Sequence, residues 1–358
     1  MTTLSVAMGS ALFPSILLQF FRDLYRFTQC SNEQCGFMFR TRKSTLIKKL
    51  LSLQESSAKN TYDPTSQGLA KVFLKDIGEI EVLQLLLTVL KEGALGTTCI
   101  VVNSQDKHLT ACKLWRWPLY RTMPTLKRVP ICNDRCNETE CLNPYHYFLT
   151  MSHSPSKTIR LDSSPVSLPI TRDLSDSGIC IDMCSDTFNT EDGESTGTWC
   201  NVAYWEHNQR IGALHCVNDP IVAIANNISH SGRFQGLDLS KIANDDVSRD
   251  EVTARVRKHI GSGILVSLEE DGIWLYNRSE ISIFVQSPTM STGDKSRPQV
   301  HKVLPGYALN SYHFAHHSTV SRTARTIRLS FEKGWGPGYR RQYITDAPCW
   351  LELLLSIR

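Results

Sequence analysis

The sequence predicts an α+β protein of two domains. Three features carry that reading: helical apolar spacing in the first 150 residues, closely spaced short strand candidates after Trp199, and a polar, aperiodic stretch between them. With 358 residues the chain is long enough for two buried cores of ordinary size. Its apolar fraction of 41% and charged fraction of 21% are those of a globular protein.

STLIKKLLSL (44–53) starts a short amphipathic helix, with Leu46, Ile47, Leu50 and Leu51 inward and Lys48 and Lys49 outward. A longer helix is expected from about Asp76 to Glu92, ended by Gly93. The texture then turns to short β-type runs (TTCIVV) and a cysteine-rich loop region up to Tyr147. Residues 151–198 are rich in Ser, Thr and Asp, with prolines at 155, 165 and 169, and read as a linker. After Trp199 the strand candidates are NVAYWE, RIGALHCV, GILVSLE, GIWLYN, ISIFVQ, TIRLSF and CWLELLL. Strands this frequent, with few helices between them, predict a β-sandwich. The clearest helix of this half is SRDEVTARVRKHI, where Ser248 and Glu251 are expected to form a capping box. Val252, Val256 and Ile260 are its expected apolar stripe. Arg255, Arg257, Lys258 and His259 give it a basic exposed side.

The formal net charge of +4 is too small to name a partner, but its distribution is uneven. Lys and Arg outnumber Asp and Glu 18 to 12 in residues 1–150, fall to 3 against 8 in 151–198, and stand at 18 to 15 in 199–358. Two basic blocks flanking an acidic spacer point to contact with anions: nucleic acid, phosphoprotein or membrane surface. MTTLSVAMGSALFPSILLQFF is apolar, but no basic residue precedes it, and Ser, Gly and Pro interrupt it. It falls short of the roughly 20 strongly apolar residues that span a bilayer, so no membrane insertion is expected. Without a secretory signal, the 12 cysteines are expected to be reduced thiols or metal ligands.

Among these, Cys99, Cys132, Cys141 and His146 stand out, with the core CLNPYH placing Asn-Pro between a thiol and an imidazole. Four such ligands suit zinc in a closed tetrahedral shell, which leaves no position for a catalytic water. Spacing alone leaves core cysteines as an alternative, with Cys112 and Cys136 also at hand, and does not choose between Cys132 and Cys136.

LWRWP (114–118), followed by Cys132 and CLNPYHY, resembles the N-terminal Mad-homology domain of the Smad family. The interval from Trp117 to Cys132 matches the family's interval between that tryptophan and a zinc-ligand cysteine. The second half resembles the C-terminal Mad-homology domain through WCNVAYWEHNQRIG, HIGSGILVSLEEDGIWLYNRSE, IFVQSP, HKVLPGY and SFEKGWGPGYRRQYITDAPCWLELLL. The resemblance implies one structural zinc on Cys99, Cys132, Cys141 and His146. It also implies a small zinc-stabilised α/β domain at 38–150, a linker at 151–198, and a forkhead-associated-like β-sandwich with flanking helices at 199–358. Residues 1–37 match nothing in the family and are expected to be an uncertain, weakly packed extension, with Met1 and Met38 both open as starts.

Two features resemble inhibitory members of the family, so that type is expected. CWLELLLSIR has only Ser356 where receptor-activated members carry a Ser-x-Ser tail, and MFRTRKSTLIKKLL (38–51) resembles the start of inhibitory members. Between Cys99 and Cys112 the chain reads CIVVNSQDKHLTAC, about half the family's interval for the DNA-reading hairpin. That leaves Lys107 and His108 as the candidate DNA contacts and makes DNA binding weak.

The resemblance implies a non-catalytic antagonist of TGF-β/BMP-family signalling, present in cytoplasm and nucleus. Its partners would be activated type I receptor serine/threonine kinases and other Smads. A DNA-binding Smad regulator or co-repressor is the alternative. Lys333, Arg341, Arg255 and His259 match receptor-contacting positions, with Trp335 expected as an exposed anchor in the Gly-Trp-Gly turn. Such cations suit a phosphorylated, serine-rich segment. No Pro-Pro-x-Tyr signal for ubiquitin ligases lies in 151–198. Lys333-Gly-Trp-Gly lacks the strand–GxxxxGK[ST]–helix pattern of a phosphate loop, and no catalytic pairing is legible, so no enzyme is expected.

Overall fold

A computed structural model describes residues 32–57, 64–93, 98–103, 106–120, 123–132, 139–151, 197–226, 228, 235–242, 249–290 and 299–357. Two compact units divide the chain: 1–123 with 132–146, and 124–131 with 147–358. Most of the expected extension at 1–37 and nearly all of the linker at 151–198 lie outside the described residues.

The first 151 residues form helices α1 (Asn32–Ser57), α2 (Pro64–Ile77), α3 (Ile80–Glu92) and α4 (Lys107–Trp115). Their strands are β1 (Val101–Val102), β2 (Leu126–Arg128), β3 (Glu140–Cys141) and β4 (Tyr147–Thr150). Helix α1 is longer than STLIKKLLSL, because only one glycine and no proline interrupt Asn32–Ser57. Leu46 and Leu50 are buried, Ile47 and Leu51 are half-buried, and Lys48 and Lys49 face solvent. The single helix expected from Asp76 to Glu92 is instead two. Gly78 at φ 72° leaves the right-handed helical region and separates α2 from α3. Gly93 does end α3, its N–H bonded to the Val89 carbonyl. Val82, Leu83, Leu86 and Val89 of α3 join Phe73, Leu74, Leu114 and Trp115 in the first core. The Trp115 indole N–H donates to the Leu50 carbonyl at 3.4 Å, tying α4 to α1.

The second unit packs two sheets. Its further strands are β5 (Cys200–Glu206), β6 (Gln209–Val217), β7 (Ile221–Ala225), β8 (Gln235–Asp238), β9 (Ile264–Glu269) and β10 (Gly272–Asn277). They continue with β11 (Ile283–Gln286), β12 (His301–Val303), β13 (Tyr307–His313), β14 (Thr326–Phe331) and β15 (Trp350–Leu355). One sheet runs β2-β4-β13-β10-β9-β7-β8 and the other β12-β11-β14-β15-β5-β6. Val202, Val222, Ile264, Val266, Ile273, Leu329, Leu351 and Leu353 fill the core. Every strand expected after Trp199 is present. Strands β7, β8, β12 and β13 were not anticipated: β7 and β13 are buried along nearly their whole length, and β12 has only three residues.

Helix α5 (Glu251–Ile260) differs from its expected form in three ways. Its N-cap is Asp250 rather than Ser248, which lies outside the described residues. The Asp250 carboxylate accepts from the Thr253 N–H at 2.9 Å and from the Thr253 hydroxyl at 2.6 Å. Its buried side chains are Thr253, Val256 and Ile260, whereas Val252 is 40% exposed. Arg257 turns inward rather than joining the basic side. It donates to Glu206 at 2.6 Å and to the Leu239 and Ile242 carbonyls.

Glu206 also receives Arg249 at 2.7 Å and the Tyr204 hydroxyl at 3.0 Å, with its side chain only 4% exposed. Replacing Glu206 by Ala strands two guanidinium groups, and denaturant unfolding should show a loss of about 3 kcal/mol. Unchanged stability would show that water already screens the pair.

The Thr253 donors hold the Asp250 carboxyl at about 2, below its ordinary value. A carboxyl depressed in the folded state stabilises above its unfolded pKa of about 3.9 and loses that contribution as pH falls through the folded value. Asp250→Ala should therefore cost about 1 kcal/mol at neutral pH, a difference that shrinks between about pH 4 and pH 2. A pH-independent difference would contradict the cap.

Candidate metal centre and basic face

Cys99 enters β1, Cys132 follows β2, Cys141 ends β3, and His146 closes the 3-10 turn Pro144–His146. Their ligand atoms all lie within 4.8 Å of one another, and all four residues are buried except the half-buried Cys99. The Cys99 and Cys132 sulfurs are 3.8 Å apart, and His146 Nδ1 lies 3.5 Å from Cys141 and 3.7 Å from Cys99. A tetrahedral metal with sulfur bonds of about 2.3 Å and nitrogen bonds of about 2.0–2.1 Å gives S···S and S···N edges of roughly these lengths. A disulfide would need about 2.05 Å. The donor set therefore fits a metal ion.

The turn that builds this cluster is fixed locally. Asn143 is fully buried, donates to the Thr98 carbonyl at 2.9 Å, and accepts the Tyr145 N–H at 2.9 Å. This clamp folds CLNPYH back so that His146 returns to Cys141. The Ile100 N–H points at the Cys141 sulfur at 3.4 Å. Arg116, central in LWRWP, donates to the Pro144 carbonyl at 3.0 Å and lies over the Trp117 and Tyr145 rings. Hydrogen bonding with Cys132, and then burial, raise the Cys141 thiol. Buried thiols of this kind ionise only with a cation to balance them. Cys112 stands apart: its thiol faces the Pro144 carbonyl at 3.9 Å and burial pushes it up to about 12. Cys136 lies outside the described residues.

Lys107 and His108 form the first turn of α4, and both are engaged within the first unit. Lys107 pairs with Asp76 at 2.9 Å, and His108 Nδ1 meets Glu140 at 2.6 Å. The other Glu140 oxygen accepts the backbone N–H groups of Lys107 and His108 at 2.5 and 3.2 Å, serving the helix N-terminus. Among the described residues, a two-residue strand and this helix fill the interval between Cys99 and Cys112.

The second set of residues lies in the other unit, where His259 and Lys333 meet through one carboxylate. Arg255 and His259 are exposed on α5, and Lys333 and Arg341 sit in the loop after β14. A residue unanticipated from sequence joins them. Glu332 meets His259 at 3.2 Å with one oxygen and Lys333 at 2.6 Å with the other. Lys333 and His259 hold its carboxyl below the usual range, against the burial that would raise it. Arg341 donates to the Asp346 carbonyl at 3.1 Å, and its own carbonyl accepts the Gly336 N–H at 2.8 Å.

Trp335 is not the exposed anchor expected. It is 4% exposed and packs with Phe284, Ile344, Ala347 and Trp350, because the loop has its own small apolar core. Gly334 makes room for that core: a side chain there would sit 2.4 Å from the Tyr339 ring. Trp335 therefore holds the loop from within while the cations line its outside.

Residues 67–151 match the MH1 domain and residues 197–356 the MH2 domain. The chain is 33% identical over 327 residues to Mothers against decapentaplegic homolog 6 of Gallus gallus, covering 81% of this chain and 75% of that protein. Homolog 7 of Homo sapiens is 28% identical, with 82% and 78% covered, and Dwarfin sma-3 of Caenorhabditis elegans is 25% identical, with 87% and 91% covered. Homologs 6 and 7 are inhibitory Smads, and Smad proteins are regulators of signalling and transcription rather than enzymes. With both Mad-homology domains present and this identity over most of its length, the chain belongs to the Smad family and is of the inhibitory type.

Proposed function

We propose that this inhibitory Smad antagonises TGF-β/BMP-family signalling by occupying activated type I receptor serine/threonine kinases through the face formed by α5 and the loop at 332–341. The supporting observation is the His259–Glu332–Lys333 bridge, which joins helix and loop into one surface carrying Arg255, Lys333 and Arg341. A phosphorylated serine brings about −1.5 to −2 charges and strong acceptor oxygens. Such a group competes with Glu332 for Lys333 and turns an internal pair into an intermolecular one. Occupying the receptor in this way denies the site to receptor-activated Smads. Other Smads are further partners of the second domain, and the chain acts in cytoplasm and nucleus. Among the described residues, no helix is long and apolar enough to cross a membrane.

In this reading the metal is one zinc, held by Cys99, Cys132, Cys141 and His146. Four protein ligands leave no open position, so zinc supplies folding free energy rather than catalysis. DNA binding by the MH1 domain is the lesser activity here, since Lys107 and His108 are held by Asp76 and Glu140. Salt-dependent titration with Smad-element DNA separates the two activities. Tight, sequence-selective binding near physiological salt would favour the transcription-regulator alternative.

Elemental analysis of the purified chain should find one zinc. Cys132→Ser should abolish it, while Cys136→Ser leaves it intact; the reverse pattern would reassign the ligand.

Lys333→Glu with Arg341→Glu should weaken binding to a phosphorylated type I receptor kinase domain at least tenfold. Each lost contact to an ionised group costs roughly 1.5–3 kcal/mol. Trp335→Ala should weaken binding by loosening the loop, with little change in salt dependence. Binding that survives the double reversal at low salt would place the receptor elsewhere.

A further inference from the structure

Strands β2 and β4 match the MH1 domain in sequence, yet both belong to the second compact unit. They pair with each other, and β4 adds in parallel to β13 through Leu149 opposite Tyr307 and Thr150 opposite Ala308. The Leu149 N–H donates to the Gly306 carbonyl at 3.0 Å and the Met151 N–H to the Ala308 carbonyl at 3.1 Å. So short a parallel ladder holds weakly by itself.

Side chains supply the rest. Phe148 is 1% exposed and meets the Tyr276 ring edge-on at 5.2 Å. Lys127 lies 2.7 Å from Glu269 and 3.8 Å from the centre of the Trp274 ring. Glu269 also accepts the Tyr276 hydroxyl at 2.6 Å. One acidic and two aromatic residues of β9 and β10 thus receive a lysine and a phenylalanine from the hairpin.

The chain joining β2 to β4 carries Cys132, Cys141 and His146, three of the four residues of the metal cluster. A connection cross-linked by a metal has already lost much of the chain entropy that closing the hairpin would otherwise cost. We propose that the β2–β4 hairpin is a metal-set strap on the β-sandwich. With the metal bound it caps the β13 edge; with the metal lost it loosens and bares that edge. A bared edge offers the Gly306 and Ala308 carbonyls, the Tyr276 and Trp274 rings, and Glu269. That surface suits an extended segment with a large apolar residue and a cation, as the hairpin itself has. The coupling rests on the metal reading given above, whereas the strap itself does not.

Amide hydrogen exchange of the full chain tests this. The metal-loaded protein is compared with the chelator-stripped protein, Lys127→Glu, and Lys127→Glu with Glu269→Lys, with zinc content measured for each. Exchange at 147–151 should quicken at least tenfold after stripping and in Lys127→Glu, and return to slow in the double variant. Peptides of β14 and β15 should stay protected throughout, and Lys127→Glu should keep its zinc. Slow exchange at 147–151 after verified metal loss would overturn the coupling. Equal exchange in Lys127→Glu and the double variant would overturn the strap. A chain purified without metal would refute the metal reading and the coupling together.

Discussion

The second domain depends on one buried carboxylate. Glu206, at the end of β5, holds Arg249 and Arg257 and accepts the Tyr204 hydroxyl. An ionised carboxylate at 4% exposure is tolerable only with such partners. Arg257 is committed inward, also binding the Leu239 and Ile242 carbonyls, so α5 has one rotational setting against the sheets. That setting directs Arg255, Lys258 and His259 outward and brings His259 to Glu332. The basic face is therefore a consequence of packing on the opposite side of the same helix. Trp335 fixes the loop on a small apolar core, leaving its cations on the outside.

The two sites differ in kind. The cysteine–histidine cluster is mostly buried and gathers Cys99, Cys132, Cys141 and His146 from separate segments, with Asn143 and Arg116 clamping the backbone around it. Its donor set suits a metal ion. The basic face is open, and its internal pairs with Glu332 are ones that a stronger anion can displace.

Much of this was legible in the sequence, for physical reasons. Cys141 and His146 flank a turn whose Asn-Pro signature is local, and the expected strands after Trp199 are short β-prone runs bounded by turn residues. What was hidden depended on tertiary structure. Strands β7 and β13 are defined by their pairing with β8 and β9 and with β10 and β4, distant partners that no local pattern announces. The Asp250 cap competed with a plausible Ser248 two residues earlier, and a carboxylate with two Thr253 donors prevailed. The inward turn of Arg257 follows from Glu206, 51 residues away. Trp335 looked exposed because glycines flank it, yet Gly334 serves close packing against Tyr339 and Gly336 takes a positive φ. Glu332, the acidic residue among cations, was the overlooked signal that helix and loop meet.

The proposed role of the face at α5 and 332–341 is to bind a phosphorylated receptor segment. Binding of the full chain to phosphorylated and unphosphorylated type I receptor kinase domains, measured side by side, tests it most directly. Strong recovery is expected with the phosphorylated form and little with the other, because the added phosphates supply the anions that the face receives. Equal recovery with both forms would contradict it.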